Sequence, residues 1–142
     1  MEENHEVYFH GALLYPGGQM VIGAVLVKHN EIVDRLGGQV PYSGSGSRAQ
    51  WEALIQGMEL AARNGVRRLI MKGDSRSVIN HMNGQPPERD FDAMDYMMKA
   101  RKVQLKFDQC FFQWVPPERN SIAISMTVPE PEDVPEEQLH TG

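Results

Sequence analysis

The sequence predicts an α/β domain built on one five-stranded mixed sheet, three antiparallel strands followed by two parallel ones, flanked by helices. Three observations lead there. Three strand-like runs open the chain and meet at short turns. After them, helical stripes alternate with apolar strand-like runs, the pattern of parallel strands reached by crossovers. The chain has 142 residues, 41% of them hydrophobic and 23% charged, which suits a domain with one core.

In order along the chain, "EVYFHGA" (6–12) alternates Val7 and Phe9 against Tyr8, as a strand does. "QMVIGAVLVKHN" (19–30) and "EIVDRLGGQV" (31–40) are apolar and β-branched, and they meet at His29-Asn30 as a hairpin. The Gly/Ser-rich "SGSGSR" reads as a flexible loop before a helix over 47–65. There Trp51, Leu54, Ile55, Met58 and Ala62 form one apolar stripe. Ser47 and Gln50 have capping-box spacing at its start, and Gly65 is placed to end it. "RRLIMKGD" (67–74) reads as the fourth strand, and "SRSVINHMNG" (75–84) as a short helix closed by Asn83-Gly84. Residues 90–107 read as a second long helix, with Asp90 or Asp92 near its positive end. "QCFFQWV" (109–115) is the fifth strand, stopped by Pro116-Pro117, and "NSIAISM" (120–126) a short last helix.

Of the net charge of −5, the last fifteen residues carry all of the excess: Glu130, Glu132, Asp133, Glu136 and Glu137, with no Lys or Arg. The rest has 14 acidic and 14 basic residues, neither a polyanion binder by charge nor barred from being one. Residues 1–127 are expected to form the domain, and the acidic, proline-rich 128–142 to stay disordered. The start "MEENHEVYF" offers no secretory signal, and no run approaches a membrane span. The lone Cys110 excludes an internal disulfide and fits a reducing, cytoplasmic setting.

Four separated stretches, "YFHGA…PGG", "GSRAQWEALIQGMELAARNGVRRLI", "MKGDSRSVINHMNG" and "WVPPERNSIA", resemble type 1 ribonuclease H, especially its short prokaryotic form and the related domain of retroelement polyproteins. The resemblance covers residues 6 to about 127, with the loop in "GALLYPGG" about a residue short. It implies the ribonuclease H-like fold and cleavage of the RNA strand in RNA–DNA hybrids. In the family four carboxylates hold two Mg²⁺ or Mn²⁺ ions, one activating water and the other stabilising the leaving oxygen. Those carboxylate positions fall on His10, Gln50, Asp74 and Ile124, so Asp74 is the one acid retained.

Magnesium demands hard oxygen ligands. Gln50 keeps an uncharged oxygen, Ile124 keeps nothing, and the nitrogen of His10 suits zinc or nickel better. One carboxylate leaves the repulsion between two dications uncompensated. The expectation is therefore no bound metal and a catalytically inactive domain that acts by binding itself, another protein or nucleic acid. The alternative is a residual metal-dependent ribonuclease with a rebuilt site, using His10 and Asp74 with Glu118, or with His81 and Ser125 as further ligands. His10 is expected to hydrogen-bond Asp74; Asp74 is otherwise a cap for the helix near Ser75.

Binding candidates follow the same carry-over. Ser45, Gly46 and Ser47, followed by Arg48, stand where the family has a Thr-Asn-Asn loop that reads 2′-hydroxyls in the hybrid's minor groove. Arg76 belongs to a basic group with Arg63, Arg67, Arg68 and Lys72, and Lys99, Arg101, Lys102 and Lys106 form another. Glu52, Glu59, Asp95 and Asp108 interleave with both, which favours a solvated mixed-charge face. Leu13, Leu14 and Tyr15 read as an exposed apolar loop beside the old catalytic edge, a contact surface for a second copy or a protein partner. Met97 and Met98 can be read as part of a contact surface in the same way, although at helical spacing such residues are more often core.

Overall fold

The computed structural model describes residues 4–14 and 18–127. Five strands form one sheet in the order β3-β2-β1-β4-β5. They are β1 (His5–Leu14), β2 (Gln19–Lys28), β3 (Glu31–Ser43), β4 (Arg68–Gly73) and β5 (Gln109–Trp114). β1, β2 and β3 pair antiparallel, and β4 and β5 run parallel to β1. The helices are α1 (Gly46–Arg63), α2 (Arg76–Met82), α3 (Phe91–Gln104) and α4 (Ser121–Ile124), with 3-10 turns at Pro117–Arg119 and Ser125–Thr127. This is the mixed sheet the sequence predicts.

Local chemistry accounts for the joints. His29 and Asn30 both adopt positive φ, 54° and 62°, the backbone that lets a two-residue turn follow the twist of its strands. Asp90 caps α3 by accepting from the Ala93 N–H. Trp51, Leu54, Met58 and Ala61 of α1 are buried with Val7 and Phe9 of β1, Leu26 of β2, and Leu69 and Met71 of β4. α3 packs against α1 and adds Ala93, Tyr96, Ala100 and Val103 to the core, with the Tyr96 ring stacked on Trp51. No helix among the described residues is long and apolar enough to cross a membrane.

Four expectations need correction. Leu13 and Leu14 are not an exposed loop. β1 continues through them, pairing with Met20 and Gln19 of β2, and both are only half-exposed. The apolar residues beside a Gly/Pro turn extend the strand because β2 supplies ladder partners to its end. Tyr15 and the tail from Val128 lie outside the described residues. The cap of α1 is Ser45, whose Oγ accepts from the Arg48 N–H at 3.1 Å, not Ser47. The helix thus begins two residues earlier, and Gln50 is released from the capping box. The cap of α2 is Ser75, not Asp74. Met98 is 61% exposed rather than core.

Candidate functional site

Parallel pairing sets Phe9 opposite Gly73, so the next residues along stand side by side: His10 within β1 and Asp74 just past the end of β4. Nδ1 of His10 lies 2.9 Å from Oδ1 of Asp74. α1 brings Gln50 to the same point, and the backbone of β1 fixes its amide. The Gly11 N–H donates to Oε1 of Gln50 at 3.2 Å, which turns Nε2 toward Oδ1 of Asp74 at 3.3 Å. The Gln50 amide also comes within 3.4 Å of His10 Nδ1. A carboxylate only accepts, so Nδ1–H of His10 donates to Asp74, and the amide donates there too. Two donors therefore converge on one carboxylate oxygen.

This approach depends on bare backbone. A Cβ on Gly11 would lie 2.0 Å from the carbonyl oxygen of Ala49 and 2.7 Å from the Gln50 nitrogen. α4 is held over the same strand by Asn120, fully buried, whose Nδ2 donates to the Phe9 carbonyl at 2.8 Å. Its Ala123 carbonyl lies over Gly23, the residue paired with His10 across β1–β2. Ile124, half-buried on α4, brings only carbon to this end of the sheet.

Burial works against the charged form of Asp74. The hydrogen bond and charge of His10, and the bond from Gln50, outweigh it and hold the carboxyl below its ordinary range. The carboxyl thus ionises more readily folded than unfolded. Its contribution to stability is complete above the unfolded value, near pH ~4, and disappears as pH falls through the folded one. Asp74→Asn is expected to cost about 2 kcal/mol near neutrality, as for a bond to a charged group, and to converge with the parent in acid. Urea-unfolding midpoints across that range check this; a gap that persists in acid rules out the charge as its source.

The residues present do not fit a pair of magnesium ions. Asp74 is committed to two donors, and the Gln50 oxygen to a backbone N–H. Among the described residues no group of three or more His, Cys, Asp or Glu side chains could hold a metal. The further ligands considered for a rebuilt site are engaged elsewhere: His81 Nδ1 meets the Gln85 carbonyl at 2.8 Å and its ring stacks on Trp51, while Ser125 Oγ donates to Ile122. Glu118 stands exposed in its 3-10 turn. Cys110, partly buried, has its thiol pushed up to about 12 by burial, against the pull of Arg101, so it stays protonated and unreactive at neutral pH.

The other candidates divide. Ser45 and Ser47 are exposed at the head of α1. Arg48 is forked onto Asp92, with Nη2 at 2.7 Å and Nε at 3.0 Å from Oδ2. Arg67 pairs with Asp108, Lys72 with Glu6 and Lys106 with Glu59, so part of each basic group is matched by acids. Arg76 instead lies with its guanidinium over the Trp114 ring, 3.7 Å from the centroid. Trp114 in turn donates from Nε1 to the Asp74 carbonyl at 3.2 Å. Sequence reasoning passed over Trp114, although its place at the end of β5, opposite Gly73, puts it beside Asp74.

Comparison with known proteins gives one family and close structural likeness. The reverse transcriptase-like family matches residues 9–127. A ribonuclease HI of Halobacterium salinarum is 29% identical over 116 residues, covering 82% of this chain and 58% of that protein; this chain thus spans less than two thirds of that relative's length. The crystal structure of RNase H1 from the same archaeon superposes with a TM-score of 0.81 at 28% identity, covering 87% of this chain and 94% of that one. LC11-RNase H1, solved in complex with an RNA/DNA hybrid, superposes at 0.79 with 16% identity, covering 95% and 99%, a likeness of fold.

Proposed function

The chain belongs to the reverse transcriptase-like family and has the type 1 ribonuclease H fold, and from that premise we propose that it is a binding domain in which two-metal cleavage has been lost. The observation that carries this reading is the closed contact of His10, Gln50 and Asp74. At the positions where the family places metal ligands, the one remaining carboxylate accepts from two neighbouring side chains. Ile124 has no ligand atom to add. No divalent cofactor is expected. LC11-RNase H1, which shares the fold, is solved with an RNA/DNA hybrid, so the direct test is a labelled hybrid incubated with the purified chain and Mg²⁺ or Mn²⁺. The expected result is no cleavage above that of Asp74→Asn. Specific cleavage that disappears in Asp74→Asn overturns the reading and favours the residual nuclease.

Loss of cleavage leaves open what is bound, and one observation favours nucleic acid as a second reading. Arg76 stacked on Trp114 beside Asp74 offers a cation and an aromatic face on which a base or phosphate can rest. Against it, Arg48 is neutralised by Asp92, and the family's asparagines are replaced around Ser45 and Ser47. Affinity for a hybrid that falls steeply with salt supports nucleic-acid binding; no retention at low salt leaves a protein surface.

A further inference from the structure

α3 is apolar on two opposite sides. Ala93, Tyr96, Ala100 and Val103 face the core. Phe91, Met94, Met98 and Leu105 follow one another at three-, four- and seven-residue steps, which places them together on the outer side. They are 77%, 39%, 61% and 85% exposed. Pro86, Pro87 and Met97 extend this stripe into a shallow apolar groove. Four large apolar side chains in one row are a patch of the kind that marks a contact surface.

We propose that this face of α3 pairs with the same face of a second copy of the chain, the two helices running antiparallel about a two-fold axis at Met98. The charge pattern chooses both occupant and direction. α3 carries Asp92 and Asp95 in its first half and Lys99, Arg101 and Lys102 in its second. Asp95 and Lys102 are both exposed and flank the apolar stripe, and neither has a side-chain partner among the described residues. In the antiparallel arrangement Met98 meets the partner's Met98, Phe91 meets the partner's Leu105, and Asp95 lies beside the partner's Lys102. A parallel pair would stack acid on acid and base on base. The contact is isologous, so every favourable pair occurs twice. One helix pair with its flanking groove is small for a protein interface, so association should depend on concentration. This surface is distinct from the His10–Asp74 site and does not depend on whether that site cleaves.

Sedimentation velocity and light scattering of the full chain, from micromolar to near-millimolar, test the pairing. The expected result is a mass that rises toward twice that of the monomer. Met98→Glu puts two acids on the axis and should hold the chain monomeric. Asp95→Lys should weaken association several-fold, and Asp95→Lys combined with Lys102→Asp should restore it. All of these side chains are exposed, so circular dichroism should be unchanged. A chain that stays monomeric throughout overturns the proposal. A dimer indifferent to Met98→Glu places the interface elsewhere and does the same. A dimer broken by Met98→Glu but not rescued by the paired charge reversal refutes the antiparallel register.

Discussion

A chain carrying His10→Asp, Gln50→Glu and Ile124→Asp together is expected to melt below the parent in chelator and to rise steeply in melting temperature when Mg²⁺ or Mn²⁺ is added. The parent should show no such rise. The substitutions remove both donors that now satisfy Asp74 and gather four acids where there was one. Without a cation their repulsion is unrelieved, and some take up protons or the fold loosens. With a cation the same charge becomes the ligand set. Stabilisation by a ligand at ten times its dissociation constant is about 1.4 kcal/mol, or roughly 5 °C for a domain of this size. Differential scanning fluorimetry against metal concentration reads the effect. Asp74→Asn in the triple background should flatten the response. A metal-dependent rise in the parent would show that the contact of His10, Gln50 and Asp74 opens to admit an ion, and the reading of lost chemistry would fall.

Gly11→Ala is expected to be the most damaging glycine-to-alanine change among the described residues. The added carbon would lie 2.0 Å from the Ala49 carbonyl oxygen and 2.2 Å from its carbon. These are backbone atoms of α1, so no side chain can swing aside to make room. The helix must move off the strand, and movement there breaks the Gly11-to-Gln50 bond and disturbs the packing of Trp51, 1% exposed, and Leu54 at 0%. The cost should be about 4 kcal/mol or more, in the range reserved for overpacked or broken cores. Chemical denaturation and soluble yield measure it. A loss below about 1 kcal/mol would mean that α1 and β1 are not in the close contact described.

The first three strands were legible because β-branched runs and the His29-Asn30 turn act locally. So was α1, whose stripe of Trp51, Leu54 and Met58 has the helical period. The cap was not: Ser45 with Arg48 and Ser47 with Gln50 have the same spacing, and what separates them is tertiary, since the Gly11 N–H claims the Gln50 amide. Leu13 and Leu14 were misplaced because the end of β1 is fixed by the length of β2, which no local pattern reports. The identity of the candidate site came from aligning four motifs; its closed state came only from coordinates, because His10, Gln50 and Asp74 are brought together by three different elements. α3 misled in a further way. Periodicity shows that a helix has apolar residues, and a helix with two apolar stripes reads as one thickly buried. That favoured the core reading of Met98 over the contact surface it equally allows.

The hydrogen bond from Asn120 to the Phe9 carbonyl joins residues 111 apart in sequence. On the ribosome, β1 to β3 would emerge early with that carbonyl unmatched and Gly23 uncovered, and β4 would lack the neighbour that β5 later supplies. Native closure therefore waits for nearly the whole domain, as high sequence separation slows folding. The nascent chain should stay protease-sensitive and dependent on holdase chaperones until α4 is released.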